Sequence, residues 1–137
     1  IITAPAGYGK TWALVDFALQ SEVGVCWYTL DDFDRDPWNF IQYLVLSVQA
    51  VLPETMRRSA ELLTRDDVPF ANAANVVMHD LIAVGKPLTI ILDDWHYVND
   101  EREISNFVAN ILNRCENCRV ILSSRHYPSL KNTMLLT

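Results

Sequence analysis

Hydrophobic positions recur along this chain in two rhythms. Short apolar or β-branched runs alternate with stretches in which apolar residues return every three or four positions, predicting strand and helix in turn. Ile1–Ala4 reads as the end of a first strand, and Gly24–Leu30 (Gly-Val-Cys-Trp-Tyr-Thr-Leu) as a second. Leu88–Leu92 is continuously apolar, as expected of a central strand buried on both faces. Arg119–Ser124 reads as the fourth strand. A helix is expected from about Lys10 to Gln20, with Trp12, Val15 and Leu19 on one face. Asp36-Pro37 opens the next, because aspartate accepts from free first-turn amides and proline loses no bond at the first helical position. Ile41, Leu44, Val45 and Val48 continue it, and Pro53 ends it. A third helix is expected from about Pro69 to Val84, with Phe70, Ala73, Ala74, Val77 and Leu81 buried and Gly85 as its stop. Asp100-x-x-Glu103 resembles a capping box in front of Ile104, Phe107, Val108, Ile111 and Leu112. The polar stretch Glu54–Asp67 carries no clear period.

This alternation predicts one α/β domain over residues 1–137, a parallel sheet covered by helices. The opening Ile1-Ile2-Thr3 and the closing Leu135-Leu136-Thr137 are what a segment of something longer would show. Apolar runs fall short of membrane-spanning length and no signal peptide opens the chain, so a cytoplasmic place and no membrane partner are expected. The net charge is −6, with Asp31, Asp32, Asp34 and Asp36 close together. An acidic surface repels a phosphate backbone, so DNA contact would have to come from residues outside this chain. Three cysteines, Cys26, Cys115 and Cys118, argue against a disulfide framework, and Cys115-x-x-Cys118 is half a zinc site without a second pair.

Three patterns carry chemistry. The first is Ala4-Pro5-Ala6-Gly7-Tyr8-Gly9-Lys10-Thr11, the phosphate-loop pattern with Ala4 at its first glycine. Gly7 and Gly9 let successive N–H groups turn inward around an anion, and the helix that follows aims its positive end at the same point. Lys10 would reach the β- and γ-phosphates, and the Thr11 hydroxyl would ligand magnesium. The expected nucleotide contacts are Ala6, Gly7, Tyr8, Gly9, Lys10, Thr11 and Trp12. The second pattern is Leu88–Leu92 followed by Asp93-Asp94, a Walker B arrangement that delivers carboxylates to the ligand-binding edge of the sheet. Asp93 would hold magnesium, and Asp94 would polarise the attacking water as general base. Taken alone, such a pair of acids can equally cap a turn. The third is Ser123-Ser124-Arg125, where Arg125 would meet the γ-phosphate; alone it would be a solvated arginine.

Together these motifs resemble those of MalT-like regulators, large LuxR-type transcription factors within the STAND class of signalling ATPases. The resemblance extends through Trp27-Tyr28-Thr29-Leu30-Asp31, Asp34-Arg35-Asp36-Pro37 with Phe40, and Leu92-Asp93-Asp94-Trp95-His96 to Ser123-Ser124-Arg125. It implies a three-layer P-loop NTPase of the ASCE type with strand order 1-4-3-2, lacking the fifth strand, the adenine-contacting residues and the lid modules. It further implies an ATP/ADP switch with Mg2+: ADP at rest, exchange for ATP when an inducer or protein partner binds elsewhere, ATP-dependent self-association, and slow hydrolysis as reset. DNA would be bound by a helix-turn-helix outside this chain. Asp31, Asp34 and Asp36 match positions of the family, with loop packing and helix capping as their expected work. Two rival functions remain: a scaffold that holds nucleotide without turnover, and a small-molecule phosphotransferase, for which Arg57, Arg58 and Arg65 make a thin lid.

Overall fold

The computed structural model describes residues 2–3, 13, 15–16 and 24–125. Along them run β1 (Ile2–Thr3), β2 (Gly24–Thr29), a 3-10 turn (Asp32–Arg35), α1 (Pro37–Val51), α2 (Arg57–Leu62), α3 (Phe70–Ala83), β3 (Leu88–Asp93), a second 3-10 turn (Trp95–Tyr97), α4 (Arg102–Arg114) and β4 (Cys118–Ser124). The helix expected from Lys10 to Gln20 lies outside the described residues except for 13, 15 and 16, which are helical.

β3 is the hub of the sheet. It pairs in parallel with β2, from Gly24–Leu88 to Thr29–Asp93, and with β4, from Leu88–Cys118 to Leu92–Leu122. β1 pairs in parallel with the far side of β4, at Ile2–Ser123 and Thr3–Ser124. All six residues of β3 are buried, which is why Leu88, Ile90, Ile91 and Leu92 show no alternation with exposed polar positions, and the two polar residues, Thr89 and Asp93, are buried with them. One face carries Cys26, Tyr28, Ile90, Leu92 and Leu122 into a cluster with Phe40, Ile41, Leu44, Val77, Leu81, Ile104, Phe107 and Val108 from the helices. The Tyr28 and Phe40 rings stack at 5.7 Å, and Phe40 meets Phe107 edge-on at 6.4 Å. Ile91 and Thr89 are buried on the opposite face.

The helix ends show which local signals acted. Asp36 caps α1 by accepting from the Trp38 N–H at 2.9 Å, with Pro37 in the first position. α1 ends at Val51, two residues before Pro53. Gly85, at φ +67°, takes the left-handed conformation just past α3 that a residue bearing a Cβ avoids. The stretch without a period folds in part into α2, which is anchored by Asp80 accepting from the Ser59 N–H and hydroxyl at 2.8 and 2.7 Å.

One cap needs correction. The Asp100-x-x-Glu103 box does not form: α4 starts one residue later, Glu101 is its N-cap, and no side chain caps it. The Glu101 carboxylate faces Arg35 instead, at 3.1 Å. A complete capping box occurs at Asp31 and Asp34, around the first 3-10 turn.

Candidate functional site

Parallel strands deliver their C-terminal ends to one edge of a sheet, and that edge gathers the chemistry here. Asp93 is the last residue of β3, only 5% exposed. Ser123 and Ser124 end the neighbouring β4, both buried, and exposed Arg125 lies in the bend just beyond. β1 runs beside Ser123 and Ser124 and ends at the same edge. Three of the expected groups, Asp93, Asp94 and Arg125, are thus carried by strand ends or the residues just after them. The phosphate-loop residues Ala6, Gly7, Tyr8, Gly9, Lys10, Thr11 and Trp12 lie outside the described residues.

The two acids are built differently. Asp93 Oδ1 accepts from the Asp94 N–H at 3.0 Å, so the first carboxylate shapes the turn that follows it. Turn capping and cation binding are compatible, because a carboxylate has lone pairs for both. Asp94 sits at φ 58°, ψ 42°, in the left-handed region. Aspartate tolerates that region better than most residues with a Cβ, and this kink turns the chain from β3 into the 3-10 turn Trp95–Tyr97. Trp95 is fully buried there and donates its Nε1–H to Asn99 Oδ1 at 3.1 Å, pinning the corner.

Whether this edge suits magnesium and a nucleotide can be judged from its polar groups. Ser123 is fully buried, and among the described residues its hydroxyl finds no hydrogen-bond partner. Buried hydroxyls are rarely left so, and an unsatisfied one at a ligand edge fits a polar guest or ordered water. Among the described residues no group of three or more His, Cys, Asp or Glu side chains gathers around one point. Magnesium needs only one or two carboxylates where phosphate and water oxygens complete its shell, so the single carboxylate of Asp93 would suffice.

Residue patterns missed one constellation at this edge. Tyr28, buried on β2, donates its hydroxyl to Asp34 Oδ1. Burial, then the bond to Asp34, pushes the Tyr28 phenol above its usual range. Asp34 Oδ2 accepts from the Asp31 N–H at 2.8 Å, while Asp31 Oδ1 accepts from the Phe33 N–H at 2.9 Å. Loop packing and capping are therefore what Asp31, Asp34 and Asp36 do. The spacing Asp31-x-x-Asp34 carried the capping signal; nothing local marked Tyr28 as its partner.

Among the described residues no helix is long and apolar enough to cross a membrane. No family model matches the chain. Curated relatives do: the chain is 29% identical over 132 residues to the HTH-type transcriptional regulator MalT of Yersinia enterocolitica, covering 95% of this chain and 14% of that protein. MalT of Yersinia pestis (strain Pestoides F) is 29% identical over 134 residues, again 95% of this chain and 14% of the relative. The same figures hold for MalT of Yersinia pseudotuberculosis serotype O:1b. The chain is thus a MalT-like sequence, homologous over nearly its whole length to about one seventh of these regulators.

Proposed function

We propose that this chain is the ATP-binding, slowly hydrolysing switch of a signal-responsive transcriptional regulator. The observation that carries the reading is the shared edge: Asp93, Asp94 and Arg125 follow one another across it, beside the end of the strand that leads into Ala4–Thr11. The strand order β1-β4-β3-β2 supports assignment to the ASCE group of P-loop NTPases. Similarity to proteins named as transcriptional regulators supports the regulatory role.

In this reading Gly7, Tyr8 and Gly9, with Ala6 and Trp12 at the flanks, present backbone N–H groups to the phosphates of ATP or ADP. The Lys10 ammonium draws the β- and γ-phosphates, and the Thr11 hydroxyl and Asp93 hold Mg2+. Bound magnesium supplies positive charge to the phosphate oxygens. Asp94 orients water at the γ-phosphate and takes its proton as the water oxygen bonds to phosphorus and ADP departs. Arg125 neutralises charge that grows on the transferred group. A switch follows if the γ-phosphate, touched by Lys10 and Arg125, favours one arrangement of neighbouring domains over another. Inducer or protein partner, DNA-binding helix-turn-helix and the surfaces for ATP-dependent self-association belong to regions beyond this chain, and the protein works in the cytoplasm.

The test is magnesium-dependent ATP and ADP binding by calorimetry on the full-length protein. Lys10→Ala is expected to abolish binding of both nucleotides. Asp94→Asn is expected to keep binding and to lose turnover by roughly a hundredfold or more, as for loss of a general base. A well-folded wild type that binds neither nucleotide would sink the reading.

A further inference from the structure

The stretch Asp31–Arg35 contributes no reacting group, yet it grips the corner that does. The Asp34 carboxylate is 4% exposed, and its two hydrogen bonds straddle Leu30. One comes from the Tyr28 hydroxyl, two residues before Leu30. The other comes from the Asp31 N–H, one residue after it. Leu30 in turn donates its N–H to the main-chain carbonyl of Asp93 at 2.9 Å. At the other end of the same turn, Arg35 Nε reaches Glu101 Oε1 at 3.1 Å, and Glu101 is the residue that opens α4. The turn therefore meets the segment from Asp93 to Glu101 directly at Glu101 and reaches its other end, Asp93, through Leu30. Between those ends lies Asp94, whose left-handed backbone is costly for a residue with a Cβ and persists where its surroundings over-determine it.

We propose that Asp34 is a positioning residue for the magnesium site: by clamping Tyr28 and Asp31 around Leu30, it keeps Asp93 at the sheet edge and Asp94 in its left-handed conformation. The role rests on the nucleotide reading of the Asp93–Asp94 corner. It also makes the β2–α1 turn a point from which the site can be tuned, since anything that moves Asp31–Arg35 moves both ends of the corner. The carboxylate is suited to this because it accepts both bonds at once. An amide has a single acceptor oxygen and turns an N–H group on one of the two donors.

The experiment compares wild type, Asp34→Asn and Tyr28→Phe in the full-length protein, with two readouts. In magnesium titrations, Asp34→Asn is expected to raise the Mg2+ concentration for half-maximal ATP binding about tenfold, as for loss of a group that orients a metal ligand. ADP affinity in EDTA should stay within about twofold, because none of the clamp residues belongs to the stretch Ala4–Thr11. In hydrogen–deuterium exchange without nucleotide, residues 94–101 should exchange faster in Asp34→Asn while residues 77–83 of α3 are unchanged. Tyr28→Phe, which removes one of the two bonds, should shift both readouts the same way by less, and it carries the test if Asp34→Asn does not fold. Equal loss of affinity with and without magnesium, or unchanged exchange over residues 94–101, overturns the proposal. A wild type that binds no nucleotide sinks the nucleotide reading instead, and exchange over residues 94–101 then decides whether Asp34 holds the corner.

Discussion

Cys26 and Tyr28, two positions apart on β2, bury a thiol and a phenol in the same cluster. Burial alone pushes the Cys26 thiol from 9.0 up to about 12. Its folded form therefore holds the proton more tightly than its unfolded form. The resulting stabilisation is complete below pH 9 and drains away as pH rises from 9 through about 12, with a slope of at most about 1.4 kcal/mol per pH unit. Tyr28 is raised as well and adds to the same alkaline loss. Urea unfolding at pH 8 and pH 11 should show Cys26→Ala losing less stability between the two values than the wild type. An equal loss in both would remove the thiol from the account. Of the candidate site residues, Asp93 was legible at this scale because it ends an apolar run. The left-handed backbone of Asp94 was not, because it is imposed by the turn that Asp93 and Trp95 pin.

At the scale of elements, the two proposed caps make a controlled pair. Asp36 accepts from the Trp38 N–H and starts α1, whereas Asp100 lies outside α4 and caps nothing there. Asp36→Ala should cost about 1 kcal/mol by chemical denaturation, the usual worth of an N-cap. Asp100→Ala should be neutral within about 0.5 kcal/mol, as for an exposed site without such a role. The contrast shows why one cap could be read from sequence and the other could not. Asp-Pro at Asp36 states both the cap and the first helical position locally. At Asp100 the spacing was right, but the 3-10 turn at Trp95–Tyr97 carries the chain to Glu101 before the helix begins, and Arg35 from a distant turn meets Glu101's carboxylate. α2 escaped notice for a similar reason: its anchor, Asp80, lies 21 residues beyond Ser59.

For the whole molecule, stability and site share β3. Ile91 is fully buried at the centre of that strand, hydrogen-bonded into β2 on one side and β4 on the other. Ile91→Ala removes apolar contacts where both faces are covered, and should cost roughly 2–5 kcal/mol in equilibrium unfolding. A loss well under 1 kcal/mol would mean that β3 is not the hub that its burial indicates. What the sequence determined by itself was the alternation of strand and helix, the start of α1 and the position of two acids at the end of an apolar strand. Those features rest on periodicity and on caps, which act over a few residues. Tertiary structure alone decided that Asp34 is buried under Tyr28 and that Arg35 reaches Glu101 across 66 positions of chain. Such contacts leave no local signature, because a side chain's partner is set by which strands lie side by side and where each turn emerges from the sheet.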